Sequence, residues 1–185
     1  MTLNEAKQHL LRLLTRLSYQ KREVTLSSGK KSDFYIDCKQ AILTAEGHFL
    51  VGFVLNSLIA ELEPTVRAVG GLTMGADPIA SAVATLSWQR SRPIDAFYIR
   101  KEPKEHGTQK WIEGDAVVVP GTEVAIVEDV CTTGASTLRA VERAQHHGLV
   151  VKRAIALVDR DEGGRAEVEK VVPFTSLFRR SDFSA

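Results

Sequence analysis

A chain of 185 residues, 44% hydrophobic and 25% charged, is long enough for one domain with a real core and too apolar to stay disordered. Its 24 Lys and Arg balance 23 Asp and Glu, and the net charge of +1 excludes a nucleic-acid or membrane-surface protein held by bulk charge. Two cysteines, Cys38 and Cys131, are too few for a disulfide framework or a four-thiolate metal site; with no signal-peptide pattern at residues 1–7 and no apolar run approaching the ~20 residues of a membrane span, a cytoplasmic protein is expected.

No internal repeat, low-complexity tract or linker interrupts the sequence. Residues 4–17 read as an amphipathic helix with Leu10, Leu14 and Leu17 on one face. A short strand over 23–26, a turn from Ser27 to Ser32 and a return strand over 34–37 make a hairpin. Residues 44–62 form a helix closed by Pro64. Strand 66–69 then leads into Gly70-Gly71-Leu72-Thr73-Met74-Gly75, read as a turn. Asp77 caps the next helix, with Pro78 at its first position and Ile79, Val83 and Leu86 on its apolar face.

Strand 94–99 is followed by a polar loop over about 100–115. The continuous apolar run Val124-Ala125-Ile126-Val127 suits a parallel strand buried on both faces. A loop over 131–136 precedes a helix marked by Leu138, Val141 and Ala144 and stopped by Gly148, and strands follow over 150–158 and 174–178. This alternation predicts an α/β fold, an open and mainly parallel central sheet flanked by helices. In such sheets ligands bind beyond the carboxyl ends of the strands, so the polar loops that follow strands should converge on one rim.

The most informative stretch is 124–136. A buried strand ends in two carboxylates, Glu128 and Asp129, and then Val130, Cys131, Thr132, Thr133, Gly134, Ala135 and Ser136 run into a helix start. Backbone N–H groups and hydroxyls at a helix N-terminus cradle an anion, and Gly134 permits close approach. Carboxylates repel a bare phosphate but accept hydrogen bonds from sugar hydroxyls. The pattern therefore asks for a ligand with hydroxyls on one side and a phosphate on the other, as in ribose 5-phosphate. Helix capping alone explains one of Thr132, Thr133 and Ser136 and leaves the acid pair unexplained. A Walker A reading fails, because Ser28-Gly29-Lys30 lacks the upstream glycine and Lys31 stands where Ser or Thr should be.

Arg100, Lys101, Lys104 and His106 fall close together in the polar loop. They suit neutralisation of a diphosphate, and Pro103 and Gly107 suit a mobile lid over 100–114. Cations placed where charge builds on a departing diphosphate stabilise the transition state more than the ground state. The bland alternative is a solvated charged loop.

The 124–136 stretch resembles the phosphoribosyl-diphosphate signature of the type I phosphoribosyltransferases, with Glu128 where the first acid is usually Asp. The loop from Arg100 to Gly107 resembles the catalytic loop of the orotate phosphoribosyltransferase family: Arg-Lys, a Lys three residues on, then His-Gly. Residues 25–37 resemble that family's N-terminal base-binding hairpin, 70–78 its diphosphate loop, and Asp159-Arg160-Asp161-Glu162-Gly163 its Asp-Arg-x-Glu-Gly turn. Ser27 and Met74 depart from the Lys that some members carry at these places.

The resemblance implies a single domain over 1–185. A hood over 1–43 would bind the base, and an α/β core over 44–185 would carry the lid. It implies transfer of ribose 5-phosphate from phosphoribosyl diphosphate to orotate in pyrimidine nucleotide biosynthesis. It assigns donor binding to Arg100, Lys101, Lys104, His106 and the run Glu128, Asp129, Val130, Cys131, Thr132, Thr133, Gly134, Ala135 and Ser136. Catalysis falls to Lys104, Arg100, Lys101, His106 and Asp129, and orotate binding to Thr132, Arg160, Phe34 and Tyr35. It further implies Mg²⁺ held mainly by substrate and water, without a protein metal-ligand motif. The implied assembly is a homodimer whose lid reaches the partner's donor, with neither nucleic acid nor membrane as partner. A phosphoribosyltransferase for another base and a non-catalytic sensor of phosphoribosyl diphosphate are the rival readings.

Overall fold

Helix α1 (Leu3–Leu17) begins at Thr2, whose hydroxyl accepts from the Glu5 N–H at 3.2 Å while the Thr2 N–H donates to the Glu5 carboxylate at 2.7 Å. This reciprocal box satisfies donors that a helix start leaves open. Leu10, Leu13 and Leu14 are buried, whereas Leu17, expected on the apolar face, is exposed. The computed structural model describes residues 1–25, 31–103 and 110–183. Strands β1 (Tyr19–Thr25) and β2 (Lys31–Ile36) pair antiparallel, each starting earlier than its apolar residues suggest. The expected hairpin turn falls largely outside the described residues.

A short helix, α2 (Lys39–Ile42), has no counterpart in the sequence reading, because four residues carry no periodicity. Helix α3 (Ala45–Leu62) starts where Thr44 accepts from the Gly47 N–H at 3.0 Å. Contrary to expectation, α3 is long and apolar enough to cross a membrane by length and composition. Its Leu50, Val51, Val54, Leu55 and Ile59 are buried in the core here.

Strand β3 (Ala68–Leu72) includes Gly70 and Gly71, which the sequence reading placed in a turn. They serve close strand packing instead: a Cβ on Gly71 would lie 2.2 Å from the Val127 carbonyl oxygen and 2.7 Å from the Ala76 methyl. Helix α4 (Asp77–Gln89) follows, with Ala76 at its N-cap and no side-chain cap, so Asp77 does not cap as expected. Strand β4 (Asp95–Ile99) leads to the loop, whose return carries a two-residue strand, β5 (Ile112–Glu113), antiparallel to β4. This part of the expected lid belongs to the sheet.

Strand β6 (Glu123–Cys131) runs past its apolar segment, so Glu128 and Asp129 lie within the strand rather than after it. Helix α5 (Ala135–His146), strand β7 (Val150–Asp159), helix α6 (Gly164–Glu169), strand β8 (Phe174–Arg179) and a 3-10 turn (Arg180–Phe183) complete the described chain.

The main sheet has the order β5-β4-β3-β6-β7-β8, parallel except for β5. Strand periodicity divides its buried side chains between two apolar clusters. Val69, Ala125, Val127, Ile155 and Leu157 join α1, α2, α3 and α4 in one. Ala68, Val124, Ile126, Ala154 and Ala156 join α5 and α6 in the other. The sheet is thus an α/β layer covered on both faces, as its pattern predicts. From β3 the chain passes to β4 on one side and later to β6 on the other. Beyond the carboxyl ends of these two strands lies the crevice where such sheets bind ligands.

Candidate active site at the strand switch point

A cavity of about 360 Å³ occupies that crevice. It is lined by Leu72 at the end of β3, Thr73, Met74 and Gly75 after it, Lys101 after β4, Glu128 and Asp129 on β6, Ser136 on α5, and Lys39 on α2. Gly75 allows the two sides to meet, since a Cβ there would stand 2.6 Å from Asp129 Oδ1. Asp129 Oδ1 accepts from the Val130 N–H at 2.9 Å, and Oδ2 lies 3.5 Å from Lys39 Nζ. Lys39 also pairs with Asp37 at 2.8 Å, and this hydrogen bond raises the pKa of its ammonium. Sequence reasoning missed Lys39, although Asp37-Cys38-Lys39 directly follows the hairpin.

Glu128 is buried at the base of the cavity. Burial, and then the neighbouring Asp129 charge, push its carboxyl up to about 8, against a smaller opposing pull from the Ser136 hydroxyl. From the ordinary value of 4.5 to about 8, the folded protein holds a proton that the unfolded chain releases. Glu128 therefore lowers stability progressively as pH rises through that window. Thermal melts of the parent and Glu128→Gln across this range should show the variant gaining stability relative to the parent with rising pH. A constant difference would count against the shifted carboxyl.

Gly134 stands at the start of α5 in the left-handed region, φ 80°, with no side-chain cap. The hydroxyls of Thr132, Thr133 and Ser136 are thus not used for capping; Thr132 and Ser136 are half-buried and Thr133 is exposed. The loop is braced from β7 and α6, where the Arg160 and Gly164 N–H groups donate to the Cys131 and Thr132 carbonyls, each at 3.0 Å. Cys131 itself is buried, and burial followed by the Asp159 charge pushes its thiol up to about 12. Its sulfur packs in the apolar cluster and is reached by the Gly134 N–H of the loop, and Val130 packs partly against the core. Ala135 is exposed at the first helical position.

Of the residues expected to meet a ligand, the cavity brings together Lys101, Glu128, Asp129 and Ser136. Arg100 turns to Glu113 on β5, 2.8 Å away. Lys104 and His106 lie outside the described residues. Arg160 is buried, donating from Nη2 to the Phe34 carbonyl at 2.9 Å and pairing with Glu162 at 3.0 Å. This arrangement ties the turn after β7 to the hairpin. Phe34 is buried among Tyr19 and Phe183, with ring centres 5.1 and 5.7 Å away. Its ring is mostly a core contact, and it also borders a recess with Asp33, Asp161 and Arg180. Tyr35, next along the strand, is half-buried beneath the Arg22 guanidinium, 4.0 Å from its ring centre. Among the described residues no cluster of three or more His, Cys, Asp or Glu is arranged to hold a metal ion.

No family model matches the chain. Over 178 residues it is 47% identical to the orotate phosphoribosyltransferase of Sorangium cellulosum (strain So ce56), an alignment covering 96% of this chain and 92% of that protein. The crystal structure of Mycobacterium tuberculosis H37Rv orotate phosphoribosyltransferase in complex with Fe(III) dicitrate matches with a TM-score of 0.83 at 38% identity, covering 97% of this chain and 99% of that one. The same enzyme in complex with 5-phospho-α-D-ribosyl 1-diphosphate matches with a TM-score of 0.79 at 36% identity, covering 96% and 98%. With identity and fold shared along almost its whole length, this chain belongs to the orotate phosphoribosyltransferase family.

Proposed function

We propose that the protein transfers the 5-phosphoribosyl group from 5-phospho-α-D-ribosyl 1-diphosphate to orotate, giving orotidine 5′-phosphate and diphosphate in pyrimidine nucleotide biosynthesis. One observation carries the reading: an acid pair on β6 and Ser136 at the start of α5 line one cavity opposite Lys101. Hydroxyl acceptors, the first turn of α5 and a cation border one crevice, which supports a ligand carrying a sugar and a phosphate.

In this reading Glu128 and Asp129 accept hydrogen bonds from the ribose hydroxyls, and the 132–136 loop takes the 5-phosphate. Lys39, 3.5 Å from its Oδ2, orients Asp129. Lys101, with Lys104, Arg100 and His106, receives the charge that collects on the departing diphosphate. Arg100 joins them by exchanging Glu113 for the diphosphate. Orotate is already anionic, so displacement at the anomeric carbon through an oxocarbenium-like state requires no strong base. Thr132, Phe34, Tyr35 and Arg160 are assigned to the orotate side. Arg160 acts there through its hold on the hairpin unless it releases the Phe34 carbonyl.

The buried Glu128, disfavoured as an anion beside Asp129, is relieved by a nearby cation, so the cavity suits Mg²⁺ carried in by the donor. Mg²⁺ bound there would screen the diphosphate charge, held mainly by donor oxygens and water, and Glu128 and Asp129 are the residues that would face it.

We read 1–43 as the base-binding hood and 100–114 as the lid of one domain in a cytoplasmic homodimer. The dimer reading is supported by exposed Leu43 and Met74, which border an apolar recess of about 410 Å³ beside the cavity. The test is diphosphate release with Mg²⁺ in the presence of orotate, adenine, hypoxanthine or uracil. Release with orotate alone is expected; preference for another base would overturn the assignment.

A further inference from the structure

Arg143 lies on α5, the helix whose first turn carries Ser136. Its guanidinium stacks on Trp111, 4.0 Å from the ring centre. Nη1 donates to the Arg100 carbonyl at 2.5 Å, and Nη2 to the Lys101 carbonyl at 3.2 Å. The Arg100 N–H donates to the Trp111 carbonyl at 2.9 Å. A single planar cation therefore grips both the chain leaving β4 and the chain returning to β5. Charge-assisted donors on two successive carbonyls fix two peptide planes, and with them the direction in which the Lys101 side chain leaves the backbone. That side chain borders the cavity shared with Glu128, Asp129 and Ser136.

We infer that Arg143 is a positioning residue: it holds Lys101 in register with the anion cradle at the opposite end of its own helix. The inference rests on the proposed function in taking Lys101 as a cation for the diphosphate. Lysine at 143 would not replace the arginine, because one ammonium cannot fork to both carbonyls while lying flat on Trp111. A role confined to packing has a different signature. It would lower stability and leave any effect on ligand binding unconnected to Lys101.

Calorimetric titration with inorganic diphosphate and excess Mg²⁺ separates these roles. Lys101→Ala is expected to weaken diphosphate binding about tenfold, and Arg143→Ala by a similar factor. The double variant should be no more than about twofold weaker than either single variant, because Arg143 acts through Lys101. Arg143→Lys, which retains the charge and the helix propensity, should bind as weakly as Arg143→Ala. Additive losses in the double variant, Arg143→Lys or Arg143→Ala within about twofold of the parent, or a parent that binds no diphosphate would each overturn the inference. Orotate turnover by the parent is measured alongside. Turnover without coupling sinks the role of Arg143 alone, and coupling without orotate turnover sinks the choice of base alone.

Discussion

Alanine in place of Lys104 is expected to lower kcat by about a hundredfold or more while the KM for the donor stays within about threefold of the parent. The asymmetry follows from where charge moves. In the proposed binding mode the donor is held before reaction at its other end, by the acid pair on β6 and the cradle before α5. One cation fewer at the diphosphate leaves much of that ground-state grip in place. As the bond to the anomeric carbon breaks, a full negative charge gathers on the leaving group. A cation aimed at it then contributes most. Steady-state kinetics with a single-turnover experiment, which separates chemistry from product release, reads the effect directly. An unchanged kcat would remove Lys104 from the mechanism.

Asp129→Ala should lower kcat/KM for the donor by about a hundredfold, mainly through a higher KM. Two losses combine. The ribose loses a carboxylate that lines the cavity, and Lys39 loses one of its two carboxylate partners. With Asp129 absent, the charge that disfavours the Glu128 anion is also removed, so Glu128 becomes a better acceptor and recovers part of the deficit. Asp129→Asn, which retains an acceptor oxygen but not the charge, should fall between, at about tenfold. The same ranking in donor affinity measured by calorimetry would place the defect in binding. An Asp129→Ala enzyme with parental kcat/KM would show that the ribose is held elsewhere.

Much of this site was legible because its chemistry is local in sequence. The run Val124-Ala125-Ile126-Val127 announces a buried strand, and Glu128, Asp129, Gly134 and Ser136 follow within one turn of chain. The layer arrangement was legible for the same reason, since period-two and helical patterns alternate along the core. What was missed depends on contacts between distant segments. Gly70 and Gly71 look like a turn, yet they are strand residues because Phe97 and Val127 on the flanking strands press against them. Strand β5 has too few residues to show a pattern and exists only through pairing with Tyr98 and Ile99. Lys39 enters the cavity on a helix too short to announce itself. The hairpin shows the limit of reading residue type. Phe34 and Tyr35 are both aromatic, and only the register of β2 against the Tyr19 and Phe183 rings decides which one is buried.

The order of the strands also bears on how the binding crevice comes into being. The two strands that frame it, β3 and β6, are separated along the chain by a helix and two other strands, yet lie side by side. Their pairing closes a long loop, the type of contact that small α/β proteins acquire late because chain entropy opposes it. Lys39, Gly75, Lys101, Asp129 and Ser136 come from widely spaced parts of the sequence and meet only once that loop is closed. No contiguous fragment ending before β6 contains the crevice, so a sugar phosphate bound as proposed would find its full set of groups only after β3 and β6 have paired.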